Sequence, residues 1–324
     1  MKTNREAAFS TETRCAGLQP AVAAPAGLRV SRRGNIGWTD SLLALAFPTA
    51  LWLGSRGLPA WVRMWMLVAG EVFAVKWLML RHARACGSKA TFVQQLTFLF
   101  AWTGTDAMRF FQCGPASPTL AGPAREWALA AVKTLVGIAL LIAGNQLAPT
   151  HGIPAAWLGM VGLVLLGHFG LCHLLSLAWR AVGVDAPPLM RAPVAATSLA
   201  EFWGARWNLA FAVPARELLF KPFARRIGVA GATLAVFLVS GLLHETVISL
   251  PAGAGWGLPT AYFLFQGLAV LAERSAAGHA LGLGQGARGW VFMALCTAGP
   301  AYWLFHPAFA ERVVLPMLSA LNPT

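Results

Sequence analysis

The sequence predicts an all-α, polytopic integral membrane protein with about seven transmembrane helices and one re-entrant or interfacial segment. Three observations carry this prediction. The chain is 57% hydrophobic and 11% charged, with a mean hydropathy of +0.61, outside the range of ordinary soluble domains. Several apolar stretches approach the roughly 20 residues that a helix needs to cross about 30 Å of hydrocarbon. The loop Lys and Arg residues also fall on alternate connections, as the positive-inside bias requires.

Taken in order, apolar helices are predicted at about 36–54, 59–80, 126–147, 155–179, 228–250, 256–273 and 289–309. The connection "RHARACGSK" after the second, residues 180–226 after the fourth and residues 273–288 after the sixth carry most of the loop basic charge. All three share one side if the N-terminus is cytosolic. The stretch "TFVQQLTFLFAWTG", residues 91–104, is too short to span and is followed by Asp106 and Arg109. It is therefore read as re-entrant or interfacial, returning the chain to the side from which it entered.

Residues 1–35 read as a disordered cytosolic tail, because their one apolar patch, "AVAAPAGL", is short and broken by prolines and makes a poor signal peptide. Residues 36–317 read as one membrane domain and 318–324 as a C-terminal tail. Neither an internal repeat nor a separate soluble domain is visible. The net charge of +13 is accounted for by cytosolic loops, so nucleic acid is not an expected partner. Five scattered cysteines, odd in number and without a CxxC, predict neither a disulfide framework nor a metal site. The Ala- and Gly-rich composition suggests a bacterial source, and hence the cytoplasmic membrane.

Two segments carry candidate chemistry. In "TSLAEFWGARWNLAFAVPARELLFKPFARR", Ser198 or Thr197 can serve as an N-cap, with Glu201 three residues after Ser198 as its capping-box partner, so that a helix starts there. Continued regularly, that helix sets Phe202, Arg206 and Leu209 on one face and Trp203, Trp207 and Ala210 on the next, with Asn208 between them. Read without further context, it is an amphipathic helix lying on the headgroups. In "FLVSGLLHETVISL", His244 lies about 24 Å along a helix begun at Gly228, a depth at which ionisable groups usually mark a functional path. Ser240 and Gly241 give the surface before the ring a small, slightly polar character. Glu245 is rotated about 100° from His244 and is expected to pair elsewhere in the bundle.

Other candidates are weaker. His168 and Cys172, four residues apart, read as a satisfied polar pair on one helix face. Lys76 is expected to snorkel to the cytosolic surface, and Asp106 to cap a turn. No role is assigned to His306.

The blocks "TSLAEFWGARWNL" and "FLVSGLLHE", in that order, resemble the wax-synthase-like branch of the membrane-bound O-acyltransferases (MBOAT). "FAWTGTDAMRFF" and "LFHPAFAERVVLPML" resemble elements that flank them in that family, so the likeness runs from the first helix to about Met317. Thr103 and Thr105 replace the Pro and Met usual around Gly104, and Ala205 stands where many members have Arg. The resemblance implies an acyltransferase that passes a fatty acyl group from acyl-CoA, as co-substrate, to a hydroxyl, with no other cofactor and no metal. It implies His244 as the catalytic base and Asn208 as its partner, with Trp203, Arg206, Trp207, Ser240, Glu245 and Asp106 as substrate-binding candidates. Arg216, Lys221, Arg225 and Arg226 are expected to attract the donor phosphates. A long-chain fatty alcohol is the expected acceptor, and sterols, diacylglycerol, glycans or secondary metabolites are the alternatives. The contrasting reading is a transporter in which His244 and Glu245 line a proton or solute path, against which the missing repeat counts.

Overall fold

The structure is a computed structural model that describes residues 37–112 and 122–321. The predicted N-terminal tail, Cys15 and Cys113 lie outside these residues. Every regular element among them is helical.

Helix α1 (Trp38–Gly54) packs against α2 (Ala60–Ala85). Asp40 in the first turn of α1 is buried and pairs with Arg81 at 2.9 Å. Helix α3 (Phe92–Ala101) opens on a reciprocal cap: Gln94 N–H donates to Thr91 Oγ1, and Thr91 N–H to Gln94 Oε1. At about 15 Å it is too short to cross a bilayer, in keeping with the re-entrant or interfacial reading. An extended stretch, 102–106, leads to the single turn α4 (Ala107–Phe110), capped by Asp106.

The third and fourth predicted helices form one hairpin. Helix α5 (Ala124–Val164) breaks at Gly152, whose φ of 40° turns the chain between Pro149 and Pro154. It then passes through a π-helical stretch, Leu165–Leu171, into α6 (Cys172–Ala181). The two halves approach along small residues, Gly137, Gly144, Gly159 and Gly162, as closely packed membrane helices do. Helix α7 (Leu209–Pro214) leads through another π stretch into α8 (Lys221–His244), which bends at Gly228 and ends in a further π stretch, Glu245–Ser249. Helix α9 (Leu258–Glu273) lies against α8, followed by α10 (Ala276–Leu281), α11 (Gly286–Ala298) and α12 (Leu315–Ser319).

Among the described residues, two continuous stretches are long and apolar enough to cross a membrane, Ala124–Ala181 and Leu209–Ala252. Only 22% of the most apolar window of each is buried, and Leu129, Val132, Leu135, Val136 and Ile142 point outward. A helix that buries its apolar face in a soluble core does not look like this; a helix bathed in lipid does.

Three expectations are corrected. The last predicted membrane helix, 289–309, is not continuous. Helix α11 stops at Ala298, before Gly299 and Pro300, and only single turns follow, because proline supplies no N–H to extend the ladder. The C-terminal tail begins later than predicted, since Leu318 belongs to α12 and is fully buried. Lys76 does not snorkel: it is 1% exposed, donates to the Trp102 carbonyl and lies 4.8 Å over the Phe98 ring.

Candidate active site

His244 ends α8 where the helix widens into its π stretch. Its Nδ1 lies 2.7 Å from the Ser240 carbonyl oxygen. A carbonyl only accepts, so Nδ1 carries the hydrogen and Nε2 of the neutral ring keeps its lone pair. Nε2 has no hydrogen-bond partner among the described residues. Phe263 of α9 packs on the imidazole at 4.3 Å. The Ser240 hydroxyl is turned away, donating to the Val236 carbonyl, so this residue serves His244 through its backbone. Gly241 does not leave room for a substrate. It is where α8 touches α9, and a Cβ there would meet Thr260 Cα at 2.7 Å.

Glu245 is 9% exposed and pairs elsewhere, as expected from its rotation. Its Oε1 accepts from Gly257 N–H at 3.0 Å, Thr260 N–H at 3.1 Å and the Thr260 hydroxyl at 2.9 Å. The carboxylate thus caps the N-terminus of α9 from a neighbouring helix, where the orphan donors and the macrodipole both favour a negative charge.

The single helix predicted from Ser198 through Asn208 is broken. Ser198 does cap it, accepting from Glu201 N–H at 2.9 Å. The reciprocal half of the box shifts by one residue, because Glu201 Oε2 takes Thr197 N–H instead. After a π stretch, Phe202–Arg206, Trp207 turns extended and Asn208 adopts φ 42°, ψ 62°, the left-handed region that asparagine tolerates better than most residues. The predicted face of Phe202, Arg206 and Leu209 therefore does not exist. Phe202 instead stacks on Trp207, and Arg206 folds back onto Glu201 at 2.7 Å and onto the carbonyls of Arg191 and Ala192. With Thr197 N–H the largest influence, these contacts hold the Glu201 carboxyl below its ordinary value.

His244 and Asn208 are not hydrogen-bonded to each other among the described residues. A ladder of rings joins their segments: His244 on Phe263, Phe263 on Trp203, Trp203 on Phe202 and Phe202 on Trp207. Trp203 also donates to Gln266 at 3.2 Å. Met190 Sδ lies 3.2 Å from Asn208 N.

Two cavities adjoin this ladder. The first, about 310 Å3, is lined by Trp102, Asp106, Arg109, Asp185, Arg191, Gly204, Ala212 and Arg216 among others. Here the "WTGTD" element meets the segment around Asn208, with the Thr105 hydroxyl donating to the Ala210 carbonyl. Arg109 pairs with Asp185 across the rim. The second, about 280 Å3, is mostly apolar and is lined by Trp203, Thr233, Val236, Phe237 and Val270, sharing Gly204, Ala212 and Arg216 with the first. His244 lines neither, although Trp203 lines the second and reaches the imidazole through Phe263. Of the predicted donor-binding residues only Arg216 lines the cavities. Lys221 pairs with Glu217 at 2.6 Å, and Arg225 and Arg226 are exposed on α8. Arg109 and Arg191 were missed, because their meeting depends on contacts between residues 76 positions apart and more. The π stretches beside His244 and Asn208 were missed as well; their residues read as ordinary helix.

Among the described residues no hydrogen bond joins His168 to Cys172, whereas His173 reaches Glu126 at 2.9 Å. Among the described residues, no group of three or more His, Cys, Asp or Glu is arranged to hold a metal.

Comparison with known proteins bears directly on this region. Residues 186–265 match the family described as "Membrane bound O-acyl transferase family", a block that contains Trp203, Asn208, His244 and Phe263. The "Long-chain-alcohol O-fatty-acyltransferase" of Simmondsia chinensis is 34% identical over 130 residues, 35% of this chain and 37% of that protein. The "Probable long-chain-alcohol O-fatty-acyltransferase 7" of Arabidopsis thaliana is 32% identical over 145 residues, 39% and 41% of the two chains. The "Acyl-CoA--sterol O-acyltransferase 1" of the same plant is 34% identical over 71 residues, 20% and 21%. The matched parts span about two fifths or less of these relatives. Over that shared block the chain is similar to the membrane bound O-acyl transferase family and to proteins named as long-chain-alcohol O-fatty-acyltransferases.

Proposed function

We propose that this protein is a membrane O-acyltransferase that passes a fatty acyl group from acyl-CoA to a long-chain fatty alcohol, forming a wax ester. The observation that carries the reading is the Nδ1 hydrogen bond of His244 to the Ser240 carbonyl, which leaves Nε2 as the base. As the alcohol oxygen attacks the thioester carbonyl, Nε2 takes its proton, and the tetrahedral intermediate expels the CoA thiolate, which then takes up that proton. General-base help of this kind contributes roughly 10²–10⁴-fold. Asn208 offers both an amide donor and a carbonyl acceptor, suited to the thioester oxygen or the acceptor hydroxyl.

The two adjoining cavities suit an amphiphilic donor. Arg109, Arg191 and Arg216 supply the guanidinium groups that a nucleotide's phosphates favour, and the neighbouring apolar space suits the acyl chain. In this reading Lys221, Arg225 and Arg226 contribute only general attraction at the surface. In this reading α1, α2 and α9 cross the bilayer together with the two long stretches, in a bacterial cytoplasmic membrane with the N-terminus cytosolic. The relatives named for long-chain alcohols support the alcohol as acceptor, and the sterol acyltransferase keeps a sterol as the second reading.

The test is ester formation by purified protein with labelled palmitoyl-CoA and a panel of alcohols and sterols, run beside His244→Ala. Ester made by the wild type and lost by at least 10²-fold in a folded His244→Ala protein is the expected result. A fully active His244→Ala protein would overturn the base assignment. Proton-coupled flux in proteoliposomes without ester formation would move transport to the front.

A further inference from the structure

The C-terminal segment carries a buried histidine that the reaction above does not use. His306 is 1% exposed, and its Nδ1 accepts from Phe309 N–H at 3.2 Å. A neutral ring accepting at Nδ1 bears its hydrogen on Nε2. That Nε2 is sealed from solvent and has no partner among the described residues. Glu245 shows the complementary deficit. Its Oε1 takes three donors from the start of α9, while its Oε2 is also sealed and without a partner. The two side chains meet the same short loop, the His306 ring lying against Gly255 and the Glu245 carboxyl accepting from Gly257 N–H two residues on. Gly255, at φ +75°, lets the His306 ring lie against the backbone, since a Cβ there would fall 2.2 Å from Nε2.

One orphaned donor and one orphaned acceptor, buried in the same region, rarely stay unsatisfied in a native protein. We propose that a single buried water molecule joins them, accepting from His306 Nε2–H and donating to Glu245 Oε2. Sites of this kind, polar and enclosed, are where structural waters are held. The bridge makes His306 a positioning residue: it fixes Glu245, Glu245 fixes the start of α9, and α9 holds Phe263 on the His244 imidazole. A positioning role rests on the reading of His244 as base, whereas the bridge itself does not.

Two substitutions at one position separate the bridge from the helix cap. His306→Asn keeps an acceptor near Nδ1 for Phe309 N–H and removes the bridging donor. His306→Gln reaches the Nε2 position with a donor and gives up the cap. The expected result is a roughly tenfold loss of kcat in His306→Asn, with the KM for acyl-CoA unchanged and substantial recovery in His306→Gln; displacing a catalytic group by 1 Å can cost about 10²-fold. The reverse order, or two variants equal to wild type, would overturn the bridge. Thermal unfolding midpoints of the same three proteins in detergent give a second reading, expected in the order wild type, His306→Gln, His306→Asn. If the wild type forms no ester with any acceptor, the acyl-transfer reading fails, but this order still decides the bridge.

Discussion

Replacing Gly241 by alanine tests how tightly the site is held. An added Cβ would stand 2.7 Å from Thr260 Cα, about 0.7 Å inside the 3.4 Å at which ordinary contact begins. The atom it meets is backbone, so no side chain can swing aside, and α8 and α9 must part at the crossing. Phe263 and His244 each lie three residues beyond the clashing pair on their own helices, so the parting falls on the ring contact at 4.3 Å. Overpacking of this kind costs about 1–3 kcal/mol, and a displaced base loses rate steeply. Thermal unfolding and ester formation by Gly241→Ala should therefore both fall, the rate by roughly tenfold. The control is Gly167→Ala, which meets nothing within 4 Å and should be neutral or slightly stabilising. A Gly241→Ala protein as stable and active as wild type would refute the close crossing and with it the account of how α9 holds the imidazole.

At Asn208, the left-handed backbone and the side chain can be separated. Asn208→Gly should stay folded, whereas Asn208→Ala should lose about 1–2 kcal/mol to the φ of 42°. Both should lose ester formation if the amide takes part, and a fully active Asn208→Gly would reduce the residue to a bend. Arg191→Ala is expected to raise the KM for acyl-CoA roughly tenfold, the worth of about one charge-assisted hydrogen bond, with kcat unchanged, while Arg225→Ala and Arg226→Ala leave it unmoved. Glu201, whose carboxyl is held below its ordinary value of 4.5, contributes stability that is complete above that value and is lost as pH falls through its depressed value. Melting curves from pH 7 to pH 3 should therefore show Glu201→Gln less stable than wild type at neutral pH and converging with it in acid. A constant gap would place the effect in packing.

The reading of the sequence was soundest where one residue's neighbours along the chain decide its environment. Residues 36–54 and 59–80 correspond to α1 and α2, and 126–147 and 155–179 to the two halves of the hairpin broken at Gly152. Reading failed where the helix left its regular period. Residues 202–206 and 245–249 keep helical composition yet widen into π turns, so the faces assigned around Arg206 and Asn208 did not form. It also failed for charges whose partners are remote. Lys76 reached the Trp102 carbonyl instead of the surface, and Arg206 was taken up by Glu201 and two carbonyls, leaving Arg109 and Arg191 to line the cavity.

The amino-acid sequence by itself determined the medium and the chemistry that medium admits. An apolar composition with basic charge confined to loops requires helices, and a histidine deep in such a run, behind its own motif, is the group that the proposed function takes as its base. Only the tertiary structure decided how that group is held. Which nitrogen of His244 is free, which helix Glu245 caps and which arginines meet at the cavity all depend on contacts between segments far apart in the chain. Hydrogen bonds and close packing are specified by position to within a few tenths of an ångström, and no local pattern of residues encodes that.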